Sequence, residues 1–319
     1  MIRGECQVFL SVCGGSSSGS QARLAVMSQQ QVTVLAVGGT GESRPSDHRP
    51  RVTGLLASVT SALDDRFVGQ WVGYPASYGP VALGGLSYRH SADIGVRRLS
   101  RAIDATTGPI ALIGYSQGAT VVREVLGLIH DGTIDGTRIV AAGLVSDPQQ
   151  PAGAVSDCSG RGVAGVGPAL PESIPVKWIG LKSDMICNAS DDSLIRDIAD
   201  LTRWMSFRTP RIWLRELWKL LRSNSFQNAT RTRLRPSQWV HDVRRLRTAA
   251  TEIAGYLPKS MRWHRFEWAN PGGGRHIAYA REPYEGDLTG CQVLARWLTE
   301  QEDLRERTLS PALQQRRVA

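Results

Sequence analysis

The chain alternates short apolar runs with amphipathic stretches through most of its length. Five apolar runs, rich in β-branched residues and nearly free of charge, are typical of parallel strands buried on both faces. They cover 31–37, 67–72, 110–113, 137–145 and 176–181, with helices predicted at 53–63, 91–105 and 119–129. Ser91 or Asp93 is expected to cap the second of these helices. This alternation predicts an α/β fold with a central, mostly parallel sheet under right-handed crossover connections.

The pattern changes between residues 191 and 260. This segment has helical periodicity, many basic residues and several tryptophans, but no clear strand. Near its middle, Trp213, Leu217, Leu220 and Leu221 are predicted to share one helical face, with Arg and Lys opposite. A strand over 261–268 and a helix over 288–300 then resume the first pattern. We therefore predict a helical, basic, tryptophan-rich linker insertion at 191–260, between core segments 27–190 and 261–302.

Both ends of the chain are expected to lie outside this core. Residues 1–26 include a Gly/Ser-rich stretch typical of flexible linkers, and we expect this extension to be disordered or not native. Met27 is the alternative start. The short apolar run near the N-terminus is too weak for the core of a signal peptide. Residues 303–319 are predicted to be a frayed tail.

Charge is unevenly distributed along the chain. The net charge of the 319 residues is +9, but residues 196–265 alone carry 16 Lys+Arg and 5 Asp+Glu, so the remainder is close to neutral. The basicity therefore belongs to the insertion, which could associate with an anionic envelope surface. Basic helices with aromatic residues also bind nucleic acid, but no recognised module is present and we expect none bound. No apolar run approaches the roughly 18 residues of a transmembrane helix.

The cysteines leave two alternatives open. Cys158, Cys187 and Cys291 lie in the predicted core, where one bridge between Cys158 and Cys187 is as compatible with the sequence as three free thiols. No His/Cys cluster has the spacing of zinc ligands, and nothing in the sequence implies an organic cofactor. We expect neither a metal nor a cofactor.

The third apolar run is followed by a motif that carries chemistry. Gly114-Tyr115-Ser116-Gln117-Gly118 is a G-x-S-x-G sequence between a predicted buried strand and a predicted helix. In that context a tight turn exposes the serine hydroxyl at the top of the sheet, and the helix N-terminus favours developing negative charge. A simple surface turn is the alternative. We predict Ser116 as a nucleophile.

A serine nucleophile requires a base and a group that orients the base. Asp184 directly follows the predicted strand 176–181, and His276 lies in a glycine-rich loop after the strand 261–268, which gives the order Ser, Asp, His of α/β hydrolases. Asp147 also follows a strand and competes for the acid role, but an Asp-Pro pair is a favourable turn and we interpret it as structural. The oxyanion hole is predicted at the backbone N–H of Gln117 and in the loop containing Thr40.

These motifs resemble those of the cutinase-like serine esterases. The GYSQGA, early GGTG, YPA and D-x-x-C sequences and the D-P after the fourth strand are similar to this group, which includes the PE-PPE-domain esterases and the mycobacteriophage lysin B enzymes. The resemblance spans about residues 31–298, and the family roles of nucleophile, acid and base fall on Ser116, Asp184 and His276. The family disulfide near the acid has no obvious partner for Cys187.

The long insertion between acid and base looks most like lysin B. This resemblance implies an esterase that cleaves mycolic acids from arabinogalactan during phage lysis. Such an enzyme is made in the host cytoplasm and acts at the cell envelope. The insertion would then form a wall for a long acyl chain, with a solvated helical lid as the equal alternative. A secreted cutinase-like or PE-PPE-like lipase acting on other acyl esters is the rival within the enzyme class.

Overall fold

The computed structural model describes residues 30–79, 85–206, 208–223, 227, 238–263 and 266–315. From Gln31 onward the chain belongs to one compact unit. The extension predicted at 1–26, with Cys6 and Cys13, lies outside the described residues. None of the helices in the described part combines the length and apolarity needed to cross a bilayer.

A five-stranded parallel sheet forms the centre of the molecule. The strands are β1 Val32–Val37, β2 Phe67–Trp71, β3 Ile110–Tyr115, β4 Ile139–Val145 and β5 Val176–Ile179. Their order in the sheet is β2-β1-β3-β4-β5, so β1 lies inside the sheet between β2 and β3. The α/β hydrolase fold class predicted from the sequence is confirmed.

Helices cover both faces of this sheet. The helices are α1 Ala57–Thr60, α2 Tyr88–Ala105, α3 Gln117–His130, α4 Ile195–Thr202, α5 Pro210–Ser223, α6 Gln238–Tyr256 and α7 Gly290–Gln315. Because side chains alternate along a strand, Ala111 and Ile113 pack on one face, towards α1 and α7, while Ile110 and Leu112 pack on the other, towards α2 and α3. Burial on both faces explains why β3 contains no charge.

The insertion is helical in the part that the structure describes, where it consists of α4, α5 and α6. Two of its arginines are not on the surface. Arg196 is fully buried and donates to the backbone carbonyl oxygens of Gly162 and Ala189, at 2.9 and 2.6 Å. Burial lowers the pKa of Arg196 to about 10, with a smaller contribution from Arg161. Part of the basic charge therefore fastens the insertion to the core.

Two helix boundaries differ from the prediction. Helix α2 begins at Tyr88, since the Ser87 hydroxyl, not Ser91 or Asp93, caps it by accepting the backbone N–H of His90 at 3.3 Å. The Ser91 hydroxyl instead accepts the backbone N–H of Ser77 and anchors a loop. Helix α7 continues to Gln315, well beyond the end predicted at residue 300.

The single strand predicted over 261–268 is wrong. Two short antiparallel strands, β6 Ser260–Trp263 and β7 Phe266–Ala269, form a separate hairpin that does not join the parallel sheet. A second small hairpin pairs β8 Pro283–Glu285 with β9 Leu288–Thr289. Between the two hairpins, a 3₁₀ helix at Arg275–Ala280 carries His276.

Candidate active site

The turn after β3 holds Ser116 in a strained backbone conformation. Its φ angle is +54°, a region that costs an L-residue energy and is common at functional sites. Flanking glycines make the turn possible. A methyl group on Gly118 would lie 2.0 Å from the carbonyl oxygen of Val37, and one on Gly114 would lie 2.6 Å from that of Gly118. The motif therefore has the strand–turn–helix geometry that the sequence predicted.

The three residues predicted as nucleophile, acid and base meet at the carboxyl ends of the strands. Nε2 of His276 lies 2.9 Å from Oγ of Ser116. Nδ1 of the same ring lies 3.0 Å from Oδ2 of Asp184. Asp184 is fully buried, whereas Ser116 and His276 reach a cavity. This arrangement can pass a proton from the serine to the imidazole while the carboxylate fixes the ring.

Two hydroxyl groups that the sequence analysis missed hold the Asp184 carboxylate. Ser146 donates to Oδ2 at 2.6 Å and Tyr279 donates to the same oxygen at 2.7 Å. Burial raises the pKa of Asp184, but the charge and hydrogen bond of His276 and these two hydroxyls outweigh it, and the pKa is lowered overall. Asp184 is therefore ionised at neutral pH.

Ser146 also touches the base. Its Oγ lies 3.0 Å from Nδ1 of His276, so it bridges the acid and the imidazole. Its φ is +50°, and it follows β4 directly as Ser116 follows β3. Unlike Ser116, it is fully buried and does not line the cavity. Position at the carboxyl end of a strand was the one sequence signal for Ser146, whereas Tyr279 lies three residues after His276 on the 3₁₀ helix.

Aromatic side chains fix the imidazole of His276. The Tyr115 hydroxyl donates to the carbonyl oxygen of His276 at 2.8 Å, and the Tyr115 ring stacks against the imidazole with centroids 5.1 Å apart. Tyr256 of α6 approaches the same ring at 5.3 Å. Burial raises the pKa of Tyr115 well above its usual value, so its hydroxyl stays a donor. The insertion thus contributes one wall against the base.

The glycine-rich loop after β1 lies beside Ser116, and the hydrogen bonds that the structure describes within it leave the backbone N–H of one residue without a partner. The backbone N–H of Gly39 donates to the Glu42 carboxylate at 2.7 Å, and that of Gly41 donates to Ala76. The backbone N–H of Thr40 has no such partner among the described residues. With the N–H of Gln117 at the start of α3, it is available to an oxyanion.

A cavity of about 590 Å³ opens at Ser116 and His276. Its surface is mostly apolar, as an acyl chain would require. Thr40, from the loop predicted to form the oxyanion hole, lines this cavity, and so do four residues of the insertion: Ala199, Asp200, Arg203 and Tyr256. No tryptophan is among the described lining residues.

Asp147, the rival acid, lies in a different environment. It is fully buried, with Arg123 at 3.8 Å and the indole N–H of Trp178 at 3.1 Å, and it has no contact with His276. Burial raises its pKa. The interpretation of Asp147 as structural agrees with this placement.

The three cysteines of the core form no bridge, and one of them lies next to the site. Cys158, Cys187 and Cys291 are buried free thiols. Cys187 also lies 3.5 Å from the Tyr279 hydroxyl. In the described part of the chain, no three His, Cys, Asp or Glu side chains converge as metal ligands would.

Comparison with known proteins places similarity in the part of the chain that carries Ser116. Residues 67–165 match the family model of the PE-PPE domain. This match covers less than half of the chain and includes neither Asp184 nor His276. No curated protein is a significant match.

Several solved structures resemble this chain, among them an acetyl xylan esterase, a cutinase-like protein and a cutinase. The catalytic core domain of acetyl xylan esterase from Trichoderma reesei aligns with a TM-score of 0.41 and 17% identity, over 60% of this chain and 98% of that chain. A cutinase-like protein from Cryptococcus sp. aligns at 0.36 and 15%, over 50% and 79%. Trichoderma reesei cutinase aligns at 0.34 and 20%, over 60% and 76%. At these low values the similarities carry no information about the substrate. The parallel sheet and the strand–turn–helix at Ser116 give the chain an α/β fold of the hydrolase type, and one segment of it is similar to the PE-PPE domain family.

Proposed function

We propose that this protein is a serine esterase that works through an acyl-enzyme. One observation carries the proposal: a single imidazole, that of His276, lies 2.9 Å from the Ser116 hydroxyl and 3.0 Å from the Asp184 carboxylate, at the wall of an apolar cavity. A nucleophile, a base and an orienting acid in this order define acyl transfer chemistry.

The reaction follows from these contacts. Ser116 Oγ attacks the ester carbonyl carbon while Nε2 of His276 takes the hydroxyl proton. The N–H groups of Gln117 and Thr40 hold the resulting oxyanion. His276 then gives the proton to the departing alcohol, leaving an acyl ester on Ser116. Water attacks that ester with His276 again as base, which releases the carboxylic acid and restores the serine.

Labelling with a fluorophosphonate probe tests the nucleophile, and the chain offers a matched control. Ser116 and Ser146 both contact His276, but only Ser116 faces the cavity. We expect Ser116→Ala to abolish labelling and to lower kcat by about 10⁵- to 10⁶-fold. Ser146→Ala should still be labelled. A Ser116→Ala protein that reacts with the probe as the unmodified protein does would refute the proposal.

For the substrate, we propose mycolic acid esters of arabinogalactan, cleaved at the host envelope during phage lysis. The support is the insertion between Asp184 and His276, which resembles that of lysin B and lines the cavity through α4 and α6. The enzyme would be made in the host cytoplasm and reach the envelope as lysis begins.

Release of free mycolic acids from purified mycolyl-arabinogalactan tests this substrate. Hydrolysis of short p-nitrophenyl esters establishes the esterase but does not distinguish substrates. Strong hydrolysis of triglycerides without mycolic acid release would favour the secreted lipase or cutinase alternative, to which the PE-PPE similarity also points.

A further inference from the structure

Helix α5 presents apolar side chains to solvent. Leu214, Trp218 and Leu221 are 57%, 65% and 53% exposed, and their spacing of four and three residues places them in one stripe along the helix. The adjoining side of α5, with Trp213 and Leu217, is half-buried and faces the crevice next to α4. Leu221, predicted to share a face with these two residues, is instead exposed. A continuous exposed stripe, unlike scattered single residues, indicates a contact surface.

A row of positive charge accompanies this stripe. At 100° per residue, four basic residues follow the stripe on one side of the helix, so that both groups form one outer face. Arg215 and Lys219 each lie 3.0 Å from Glu216. The four residues of this basic row are Arg211, Arg215, Lys219 and Arg222. Arg211 and Arg222 have no carboxylate within ion-pair distance among the described residues.

We propose that this α5 outer face, formed by the stripe and the basic row, binds an anionic lipid surface. Apolar side chains enter the boundary between head groups and acyl chains, while Arg and Lys remain at the anionic head groups. The apolar stripe is complementary to the acyl chains of such a surface, and the basic row is complementary to its head groups. A nucleic acid backbone would pair with the basic row but leave the apolar stripe in water.

The α5 outer face is one helix away from the active-site cavity. The indole N–H of Trp213 donates to the carbonyl oxygen of Leu201 at 3.3 Å, at the end of α4. Asp200 and Arg203 line both the crevice between α4 and α5 and the cavity at Ser116. This surface would hold the active-site cavity close to acyl esters in a lipid layer. That role rests on the proposed esterase function.

Vesicle co-sedimentation tests the assignment, in a Ser116→Ala background so that lipid is not hydrolysed. We expect binding to vesicles of phosphatidylglycerol and phosphatidylcholine, and little binding to phosphatidylcholine alone. Each basic residue at an anionic lipid surface contributes a similar amount of binding free energy. The double variant Arg211→Gln with Arg222→Gln should therefore weaken vesicle binding about 30-fold. Trp218→Ser should weaken it about tenfold. Added salt should weaken binding through the basic row.

Helix α7 offers the control variant. Leu304 is 53% exposed, as Leu221 is, but Asp303 and Glu306 lie beside it and the adjacent Arg305 is paired with Glu302. Leu304→Ser should bind vesicles as the parent protein does. Equal losses in Leu304→Ser and Trp218→Ser would overturn the assignment, and so would binding that is indifferent to vesicle charge.

Two further measurements separate this surface from other occupants and from the esterase itself. If the protein is a dimer in solution that Trp218→Ser converts to a monomer, a second copy of the chain covers the α5 outer face. If the protein is retained on DNA and does not bind vesicles, the ligand of this face is a nucleic acid and not a lipid surface. With Ser116 intact, the α5 variants should hydrolyse p-nitrophenyl butyrate at the unmodified rate. Activity without vesicle binding overturns the surface alone, whereas vesicle binding without any esterase activity overturns the proposed function alone.

Discussion

Replacing Asp184 by asparagine should prevent His276 from acting as a base, although asparagine has the same shape as aspartate and keeps the packing around it. Oδ1 of Asp184 accepts the backbone N–H of Ile186 at 3.1 Å, and this donor cannot become an acceptor. The asparagine oxygen is therefore expected at the Oδ1 position and the amide nitrogen at the Oδ2 position. There the nitrogen meets Nδ1 of His276, which donates to Oδ2 in the unmodified protein.

The amide N–H reverses the proton arrangement of the ring. Facing a donor, Nδ1 of His276 must accept, so the neutral imidazole carries its proton on Nε2. That nitrogen lies 2.9 Å from Ser116 Oγ and can no longer take the serine proton. We expect kcat/KM to fall by about 10⁴-fold, as when a triad acid becomes its amide, which corresponds to about 5.5 kcal/mol of transition-state stabilisation.

Asp147→Asn is the matched control, because both carboxylates are fully buried and follow strands of the same sheet. Asp147 faces Arg123 and not His276, so its loss leaves a buried cation without its counter-charge. We expect Asp147→Asn to lower the free energy of unfolding by about 3 kcal/mol while the folded fraction keeps its activity.

Steady-state hydrolysis of p-nitrophenyl butyrate, combined with urea unfolding, separates the two effects. The expected pattern is a catalytic loss in Asp184→Asn and a stability loss in Asp147→Asn. A folded Asp184→Asn protein within tenfold of the unmodified rate would refute the acid assignment, as would a folded Asp147→Asn protein with the larger catalytic loss.

Three further outcomes follow from the same geometry. Ser146→Ala removes a hydrogen bond to a buried carboxylate and should lower kcat/KM by about 10- to 100-fold, with Ser146→Gly as the control for its positive φ angle. Gly118→Ala places a methyl group against the carbonyl oxygen of Val37 and should cost about 3 kcal/mol in urea unfolding, whereas Gly272→Ala, which has open space, should be nearly neutral. The folded-state pKa of Asp184 is lowered, so its stabilisation is complete above its unfolded pKa of about 4 and is lost as pH falls through the lower folded value. The free energy of unfolding of Asp184→Asn should therefore fall less steeply below about pH 4 than that of the unmodified protein, and an equal slope would contradict this assignment.

Local pattern was sufficient to predict the central sheet and the positions of the three candidate catalytic residues. The runs containing Ile113 and Val145 are buried on both faces, which leaves a continuous apolar sequence, and parallel strands deliver their following loops to one edge. Ser116 and Asp184 follow strands of the sheet that were correctly predicted, whereas the strand predicted before His276 is a hairpin outside the sheet. His276 was therefore located by chain order and its glycine-rich loop, and not by a strand end.

What the sequence did not reveal depends on contacts made only in three dimensions. Ser146 was identifiable as a residue in a turn, but its role as a bridge requires the position of His276, 130 residues later in the chain. Likewise, an apolar pattern over 261–268 does not distinguish one buried strand from a hairpin, since both alternate side chains with the same period. Ser91 was expected to cap α2, but its hydroxyl is used by Ser77, and that contact was invisible before the helix was packed.

The arginines of the insertion have two separate physical roles, which its net charge alone does not distinguish. Arg196 and Arg245 are almost completely buried and donate to the backbone carbonyl oxygens of Ala189 and Asp192 respectively. Arg196 therefore fixes α4 to the core, Arg245 fixes α6 to the beginning of the insertion, and neither is available to a ligand. Arg211 and Arg222, on α5, have no carboxylate partner in the described part of the chain and stand beside exposed apolar residues. Replacing a buried arginine should therefore lower stability and leave the salt dependence of vesicle binding unchanged, whereas replacing an α5 arginine should do the reverse. Charge that fastens the insertion and charge that would attract a surface are thus carried by different helices, and each can be altered without the other.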